Sequence, residues 1–262
     1  MDIFDDIIRC MKEEAASSGN VFVRRKDLAE FMDAAQTSRP VLQPEPSLQQ
    51  NCSVPAASPV EIPVKTTESP VQITVRCDVS GMDFARLREC AMKCTACNLC
   101  QTRTNVVFGS GSEQADLMFI GEAPGADEDA QGLPFVGKAG ELLTKMIKAM
   151  KYDRSEVYIA NILKCRPPEN RNPEEQEAEA CISILKRQIE LVKPEVIVLL
   201  GAVSMRFLLG KTGISKLRGT WQEYNGIPVM PTYHPAFLLR NPGAKADVWK
   251  DLQAVMSRLG KL

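Results

Sequence analysis

The sequence predicts an α/β fold in which a central, mostly parallel sheet lies between two layers of helices. Two observations carry this prediction. Short apolar segments alternate with amphipathic, helix-like segments over the second half of the 262-residue chain, and several of the apolar segments end at a glycine or a polar residue. Strands that alternate with helices form a parallel sheet covered on both faces. The expected architecture is therefore a three-layer αβα domain.

The first two predicted strands flank a helix. The segment 116–120 is an apolar strand that ends at Gly121, and 157–161 is the next strand. Between them, apolar residues recur at helical spacing over 142–150. Such spacing indicates a helix with one buried face.

The later elements repeat this alternation. A long helix is predicted over 172–192, with the asparagine as N-cap, because proline and acidic residues are favoured in a first helical turn. A strand over 195–200 and a short helix follow. The Asn225-Gly226 pair predicts a hairpin, and a terminal amphipathic helix covers 246–259.

The chain before this domain has a different composition. Residues 1–36 show short helical patterns, and 37–80 are rich in Pro, Ser and Thr with little periodicity. The second segment is expected to be a disordered linker. The predicted organisation is thus a helical segment, a linker and one α/β domain over 81–262.

Composition limits the class of protein. Hydrophobic residues make up 44% and charged residues 25%, and no apolar run approaches the roughly 20 residues of a membrane span. The first residues, MDIFDDIIRC, are acidic where a secretory signal would be basic, so a cytoplasmic protein is expected. We also expect a monomer. Residues 1–82 carry 8 Lys+Arg against 12 Asp+Glu, whereas the remainder carries 24 against 21. The mildly basic remainder favours a polyanionic partner.

Three polar elements follow predicted strands. They are Gly121-Glu122, Asn161 and His234-Pro235. Ligands of such sheets bind at the carboxyl ends of the strands. We therefore expect these elements to converge on one pocket.

The segment GLPFVGKAG has the spacing of a phosphate-binding loop, with Gly132, Gly137 and Lys138 in register. However, Ala139 stands where Ser or Thr would bind magnesium, and Pro134 removes a backbone donor. The loop also does not follow a strand directly. A nucleotide site is therefore not expected.

Nine cysteines are an odd number for a disulfide framework. Four lie within 11 residues and form what we call the local cysteine cluster: Cys90, Cys94, Cys97 and Cys100. Such crowding indicates a metal site. Thiolates suit both zinc and iron–sulfur clusters.

Four ordered segments give the chain a family resemblance. GEAPGADEDAQGLPFVGKAGELL, YIANILKCRPPENRNP, EVIVLLGAVS and PTYHPAFLLRNP together resemble the family-4 uracil-DNA glycosylases, the iron–sulfur class. The resemblance covers about residues 83–262. It implies a monofunctional enzyme that hydrolyses the N-glycosidic bond of uracil in single- or double-stranded DNA, releases uracil and leaves an abasic site. Residues 1–80 stay unexplained and are a candidate site for a protein partner.

The resemblance implies roles for three residues of the pocket. Phe135 would stack on a flipped uracil. Asn161 would meet O4 and N3–H of the base with one amide, which cytosine cannot satisfy. His234, the only histidine, would donate to O2 as charge grows on the departing base.

Two carboxylates of the matching motif are candidates for the remaining chemistry. Either Glu122 or Glu128 could orient water or stabilise the sugar cation, and the sequence does not assign the base between them. Gly121 is predicted to bind substrate beside them. Asp127 and Asp129 are expected to be solvated residues that cap the following helix.

The resemblance also implies a [4Fe–4S] cluster with four cysteine ligands: Cys94, Cys97, Cys165 and Cys181. The alternative is that the local cysteine cluster supplies all four ligands, to zinc or to an iron–sulfur cluster. In that case Cys165 and Cys181 would be ordinary thiols. In either case we expect the metal to be structural.

DNA contacts are predicted for side chains of residues 216–240. Lys216, Arg218 and Arg240 would bind the backbone, and Leu238 or Leu239 would enter the space the base leaves. The alternative is a solvated charged surface with core leucines. Two rival functions also stay open, a non-catalytic module that binds uracil-containing DNA or serves replication, and an iron–sulfur electron carrier.

Overall fold

The computed structural model of the chain describes residues 78–262. The helical segment predicted over 1–36 and nearly all of the linker predicted over 37–80 lie outside the described residues. The domain predicted over 81–262 lies wholly within them.

Residues 78–262 form six strands and eight α-helices. The strands are β1 (Ser110–Gly111), β2 (Leu117–Gly121), β3 (Tyr158–Asn161), β4 (Val196–Leu200), β5 (Gln222–Tyr224) and β6 (Ile227–Thr232). The α-helices are α1 (Phe84–Met92), α2 (Ala126–Gln131), α3 (Lys138–Ala149), α4 (Glu175–Val192), α5 (Ala202–Leu209), α6 (Ile214–Leu217), α7 (Pro235–Arg240) and α8 (Lys245–Arg258). Short 3₁₀ helices occupy Asn98–Gln101, Pro168–Asn170 and Pro242–Ala244.

The strands form one sheet in the order β1-β3-β2-β4-β6-β5. Neighbours are parallel from β3 to β6, and the short edge strands β1 and β5 are antiparallel. Gly121 at the end of β2 lies opposite Asn161 at the end of β3. The mostly parallel sheet is confirmed, and the carboxyl ends of its central strands share one edge.

Alternate residues of the strands belong to two separate apolar cores. Leu117 and Phe119 of β2 pack with side chains of α3 and α8. Met118 and Ile120 pack instead with side chains of α4 and α5. Because successive side chains of a strand point to opposite faces, this division places helices on both sides of the sheet. The three-layer prediction is confirmed.

Local signals predicted the hairpin well and one helix start less well. Asn225 and Gly226 have φ of 50° and 81° and join β5 to β6, as a two-residue hairpin turn requires. The long helix α4 begins at Glu175 rather than just after Asn172. Its first turn is closed by the Glu177 carboxylate, which accepts from the Glu174 N–H at 2.9 Å, so the predicted asparagine cap is wrong. None of the helices in residues 78–262 combines the length and apolarity of a membrane span.

Candidate active site

A cleft of about 440 Å³ opens at the carboxyl ends of β2, β3 and β6. Its lining includes Glu122, Glu128, Phe135, Asn161, His234 and Arg240. The structure therefore brings together the three polar elements that follow these strands. Their separation along the chain exceeds 100 residues, and the parallel sheet is what unites them.

Gly121 allows the side chains of Asn161 and Phe135 to approach its backbone closely. A Cβ atom added at this position would lie 2.4 Å from Oδ1 of Asn161 and 2.5 Å from Cζ of Phe135. Neither neighbour can retreat easily, because Asn161 and Phe135 are both buried. Any side chain here would displace the amide or the ring.

Asn161, which lines this cleft, holds an unsatisfied acceptor. Its side chain is 1% exposed, and Oδ1 has no hydrogen-bond partner within the described part of the chain. A buried acceptor without a donor costs about 1–3 kcal/mol. Such a group in a cleft wall is suited to a ligand that brings the donor.

Phe135 is held in an unusual backbone conformation. Its φ is 52°, and its carbonyl packs so closely on Gly140 that a Cβ there would lie 1.9 Å from the oxygen. Arg154 donates to the preceding carbonyl of Pro134. A bulky residue with positive φ persists only where its surroundings enforce it. The result places the Phe135 ring 5.6 Å from the His234 ring, tilted by 31°.

His234 is a neutral hydrogen-bond donor toward the cleft. Burial, and to a smaller extent the charge of Arg240, lower the pKa of its imidazole to about 4, although the Glu128 carboxylate opposes the shift. Nδ1 accepts from the Ala236 N–H at 3.1 Å as α7 begins. The proton of the neutral ring is therefore on Nε2, since an imidazole nitrogen that accepts carries none.

The two candidate carboxylates have different surroundings. Glu128 accepts from the N–H groups of Gly125, Val136 and Gly137 at 2.9–3.1 Å. The Glu122 carboxylate makes no hydrogen bond to any other described residue, and burial raises its pKa. Glu128 therefore organises the loop, and Glu122 is the carboxylate with free acceptors in the cleft.

The same contacts explain the loop that resembles a phosphate site. The Val136 and Gly137 N–H groups at the start of α3 would have to face a phosphate, but both bind the Glu128 carboxylate. Since the protein supplies its own anion there, the geometry agrees with the expectation that no nucleotide binds.

Asp129 differs from the sequence expectation of a solvated helix cap. It is 4% exposed, and its carboxylate accepts from the N–H groups of Thr104 and Asn105 at 2.9–3.2 Å. The pairing is with a segment 24 residues earlier, which no local pattern reveals. Asp129 thus ties the chain that follows the local cysteine cluster to α2.

A second, small cavity is lined by five cysteines, and we call it the cysteine cavity: Cys94, Cys97, Cys100, Cys165 and Cys181. Cys90 is not among its lining residues. The structure thus groups Cys165 and Cys181 with the first pair, as the family resemblance implied. Cys100 also lines the cavity. Neither predicted set of four ligands had placed Cys100 together with Cys165 and Cys181.

Two sulfur atoms of this cavity accept hydrogen bonds from nearby donors. Arg103 Nη1 donates to Cys165 Sγ at 3.2 Å, and the Lys164 backbone N–H donates to Cys181 Sγ at 3.3 Å. Burial raises the pKa of the Cys165 thiol to about 11 and that of the Cys181 thiol to about 12. Within residues 78–262, no three His, Cys, Asp or Glu side chains are arranged to hold a single metal ion.

The predicted DNA contacts divide into accessible and inaccessible ones. Lys216 and Arg240 are exposed, and Arg240 lies at the cleft. Arg218 is instead paired with the buried Asp251 at 2.5 Å, and its side chain is 17% exposed. Leu238 is fully buried in the core. Arg218 and Leu238 therefore do not face DNA here, because a carboxylate and the core hold them.

Sequence reasoning overlooked two further positions. Arg171 lines the cleft and pairs with Glu177 at 2.6 Å, and Lys164 is buried beside Asn161. Both belong to the segment YIANILKCRPPENRNP, so the motif marked the region. It did not show which of its charges turn inward.

The comparisons with known proteins identify the family of the chain. The family model of the uracil DNA glycosylase superfamily matches residues 108–253. A type-4 uracil-DNA glycosylase of Sulfurisphaera tokodaii is 44% identical over 180 residues, 65% of this chain and 82% of the relative. Those of Thermotoga maritima (48%, 57% of this chain, 79% of the relative) and Saccharolobus solfataricus (46%, 64% and 82%) are similar. The chain therefore belongs to the type-4 class of the uracil DNA glycosylase superfamily.

Proposed function

We propose that this protein hydrolyses the N-glycosidic bond of uracil in DNA, releasing free uracil and leaving an abasic site. The observation that carries the proposal is the unpaired, buried Oδ1 of Asn161, which lies in a cleft with Phe135 and the neutral His234. A base that has left the helical stack would find there a ring to stack on and polar atoms for its edge.

Asn161 distinguishes uracil from cytosine. Its Oδ1 accepts from N3–H of uracil, and its amide nitrogen donates to O4. Cytosine presents an amino group and an unprotonated N3 at these places, so both contacts become repulsive. A buried site with reversed polarity rejects the wrong ligand strongly, because its own groups are left unpaired.

His234 stabilises the departing base. Because Ala236 N–H occupies Nδ1, the imidazole donates from Nε2 to O2 of uracil as negative charge develops on the ring. A donor placed where charge develops contributes about 10²–10³ in rate. The imidazole stays neutral at physiological pH, since burial has lowered its pKa to about 4.

Glu122 acts on the water that completes hydrolysis. The sugar becomes cation-like as the bond to uracil lengthens, by analogy with glycoside hydrolysis. A carboxylate with free acceptor positions can orient and deprotonate water beside it. Glu128 serves indirectly, since its three backbone hydrogen bonds hold the Phe135 segment against α2.

A [4Fe–4S] cluster fits the cysteine cavity, with Cys94, Cys97, Cys165 and Cys181 as ligands. Each thiolate of such a cluster binds a different iron, so its ligands need not converge as they do on a single zinc ion. The charge of Arg103, which donates to Cys165 Sγ, suits a group of negative thiolates, and the Lys164 backbone N–H donates to Cys181 Sγ. When bound, the cluster supplies a structural tie, because hydrolysis of an N-glycosidic bond needs no electron.

DNA containing uracil is the proposed partner. Arg240 at the cleft and Lys216 on the exposed surface would contact backbone phosphates. Phosphate contacts make affinity fall with salt.

The test is release of free uracil from a uracil-containing oligonucleotide by protein prepared anaerobically. Wild type should release uracil, and Asn161→Ala and His234→Ala should each be slower by about 10²-fold or more. Lys148→Ala, an exposed position of α3, is the control and should match wild type. Tight binding to the same DNA without any release by cluster-loaded wild type would favour the non-catalytic module instead.

A further inference from the structure

Lys164 is a buried cation with unusual partners. Its side chain is 2% exposed, and its ammonium donates to the Asn161 backbone carbonyl at 2.8 Å and to Oε1 of Gln188 at 2.7 Å. Among the described residues it forms no ion pair with a carboxylate. Lysine is seldom fully buried unless it is paired, so such a position calls for a reason.

The backbone of the same residue contacts the cysteine cavity. Its N–H donates to Cys181 Sγ at 3.3 Å, and Cys165 is its neighbour in sequence. Lys164 is therefore bonded both to a sulfur of the cysteine cavity and to the residue that carries the unpaired acceptor of the cleft. The bonds to Asn161 and Cys181 together span the wall between the two sites.

Gln188 holds the ammonium in this place. It is fully buried on α4, where its amide nitrogen donates to the Tyr158 hydroxyl at 3.0 Å and to the Phe108 carbonyl at 2.9 Å. With its nitrogen so occupied, Gln188 must present its oxygen to Lys164. The network thus joins the two ends of β3 to the helix that bears Cys181.

We infer that Lys164 is a positioning residue that orients Asn161 toward uracil. Strand β3 ends at Asn161. The ammonium of Lys164, three residues later, donates a hydrogen bond back to the Asn161 carbonyl. A charge-assisted hydrogen bond is about twice as strong as a neutral one, so it can fix the end of a strand. This inference rests on the proposed function.

The experiment measures binding by the cluster-loaded full chain to two DNAs, one with a non-hydrolysable 2′-fluorinated deoxyuridine and one with an abasic-site analogue. Lys164→Met should weaken binding to the uracil analogue by about 10–100-fold, as loss of supporting hydrogen bonds does at other sites. Binding to abasic DNA and the visible absorbance of the cluster should not change. Lys148→Met is the matched control, because that lysine is exposed on the other side of the sheet.

A double-mutant cycle shows whether Lys164 acts through Asn161. In the Asn161→Ala background, Lys164→Met should add less than about twofold, because contacting residues in one network are not additive. An equal loss in both backgrounds, an equal loss on abasic DNA, or loss of cluster absorbance would overturn the inference. Failure of the proposed function would appear separately, as no uracil release by wild type.

A second variant covers the case in which Lys164→Met does not fold. Gln188→Met leaves the lysine in place but removes its second acceptor. The same selective loss for the uracil analogue is expected, smaller than in Lys164→Met. Unchanged discrimination between the two DNAs in folded Gln188→Met would count against the positioning role.

Discussion

The cleft and the cysteine cavity both lie beyond the carboxyl end of β3, but the two sites differ in the polar groups that line them. In the cleft two acceptors have no hydrogen-bond partner among the described residues, the buried Oδ1 of Asn161 and the carboxylate of Glu122. In the cysteine cavity five cysteines line one small space, and burial raises the pKa of three of them, Cys97, Cys165 and Cys181. The cleft is thus marked by unsatisfied acceptors of different kinds, and the cysteine cavity by five residues of one ligand type.

This difference predicts that damage to the two regions has different signatures. A change in the cleft should alter catalysis or base choice and leave cluster content alone. A change in the cavity should lower both stability and activity, because the cavity joins segments far apart in sequence. Each region therefore has its own diagnostic measurement.

The largest effect is expected from Glu122→Gln. General-base catalysis contributes about 10²–10⁴ in rate, so single-turnover uracil release should fall by that factor. Binding of a uracil analogue and the melting temperature should be kept, because the Glu122 carboxylate bonds to no described residue. Glu128→Gln is the contrasting variant and should lower the melting temperature, since three N–H groups lose a charged acceptor. Wild-type turnover in Glu122→Gln would refute the assignment.

Gly121→Ala should reduce uracil release by about 10²-fold, the cost of a misplacement near 1 Å. The new Cβ would overlap Asn161 and Phe135. Cluster absorbance should equal that of wild type. Gly243→Ala is the control, because no atom lies within 4 Å of a Cβ at that position. If both variants behave alike, the close approach at Gly121 does not matter to catalysis.

Replacement of single cysteines distinguishes the proposed cluster ligands from Cys100, which lines the cavity but is not among them. Cys165→Ser should lose cluster absorbance, lower the melting temperature and slow uracil release by about 10–100-fold. Cys100→Ser should retain the absorbance, although Cys100 lines the same cavity. Iron content and absorbance of anaerobic preparations test this. The reverse outcome would exchange the two residues in the ligand set.

The smallest effect concerns pH. The His234 pKa is about 6.5 in an unfolded chain and about 4 in the folded protein. As pH falls below 6.5, His234 becomes protonated in the unfolded chain but not in the folded protein. The free energy of unfolding therefore decreases until about pH 4. At pH 5 this amounts to about 2 kcal/mol. Urea unfolding of His234→Gln should show a shallower loss of stability between pH 7 and 5, and parallel curves would contradict the low pKa.

Much of the fold was predictable because its signals are local. The hairpin at Asn225-Gly226 needs positive φ at both residues, and the pair supplies it. Strands that end at Gly121 and Asn161 were visible as apolar runs. The helix start at Glu175 was predicted less well, because a carboxylate of the following turn, rather than the upstream asparagine, completes the cap.

The sequence by itself determined the order of the central strands and of the main helices between them, the segments that meet at the edge of the sheet, and the family resemblance, since each depends on residue type and spacing. Only the tertiary structure separated Glu122 from Glu128, turned Arg218 toward Asp251, buried Leu238, and brought Cys100 beside Cys165. The physical reason is that a side chain's role follows from its partners and its exposure. Those partners lie tens of residues away and become neighbours only when the sheet and its two helical layers assemble.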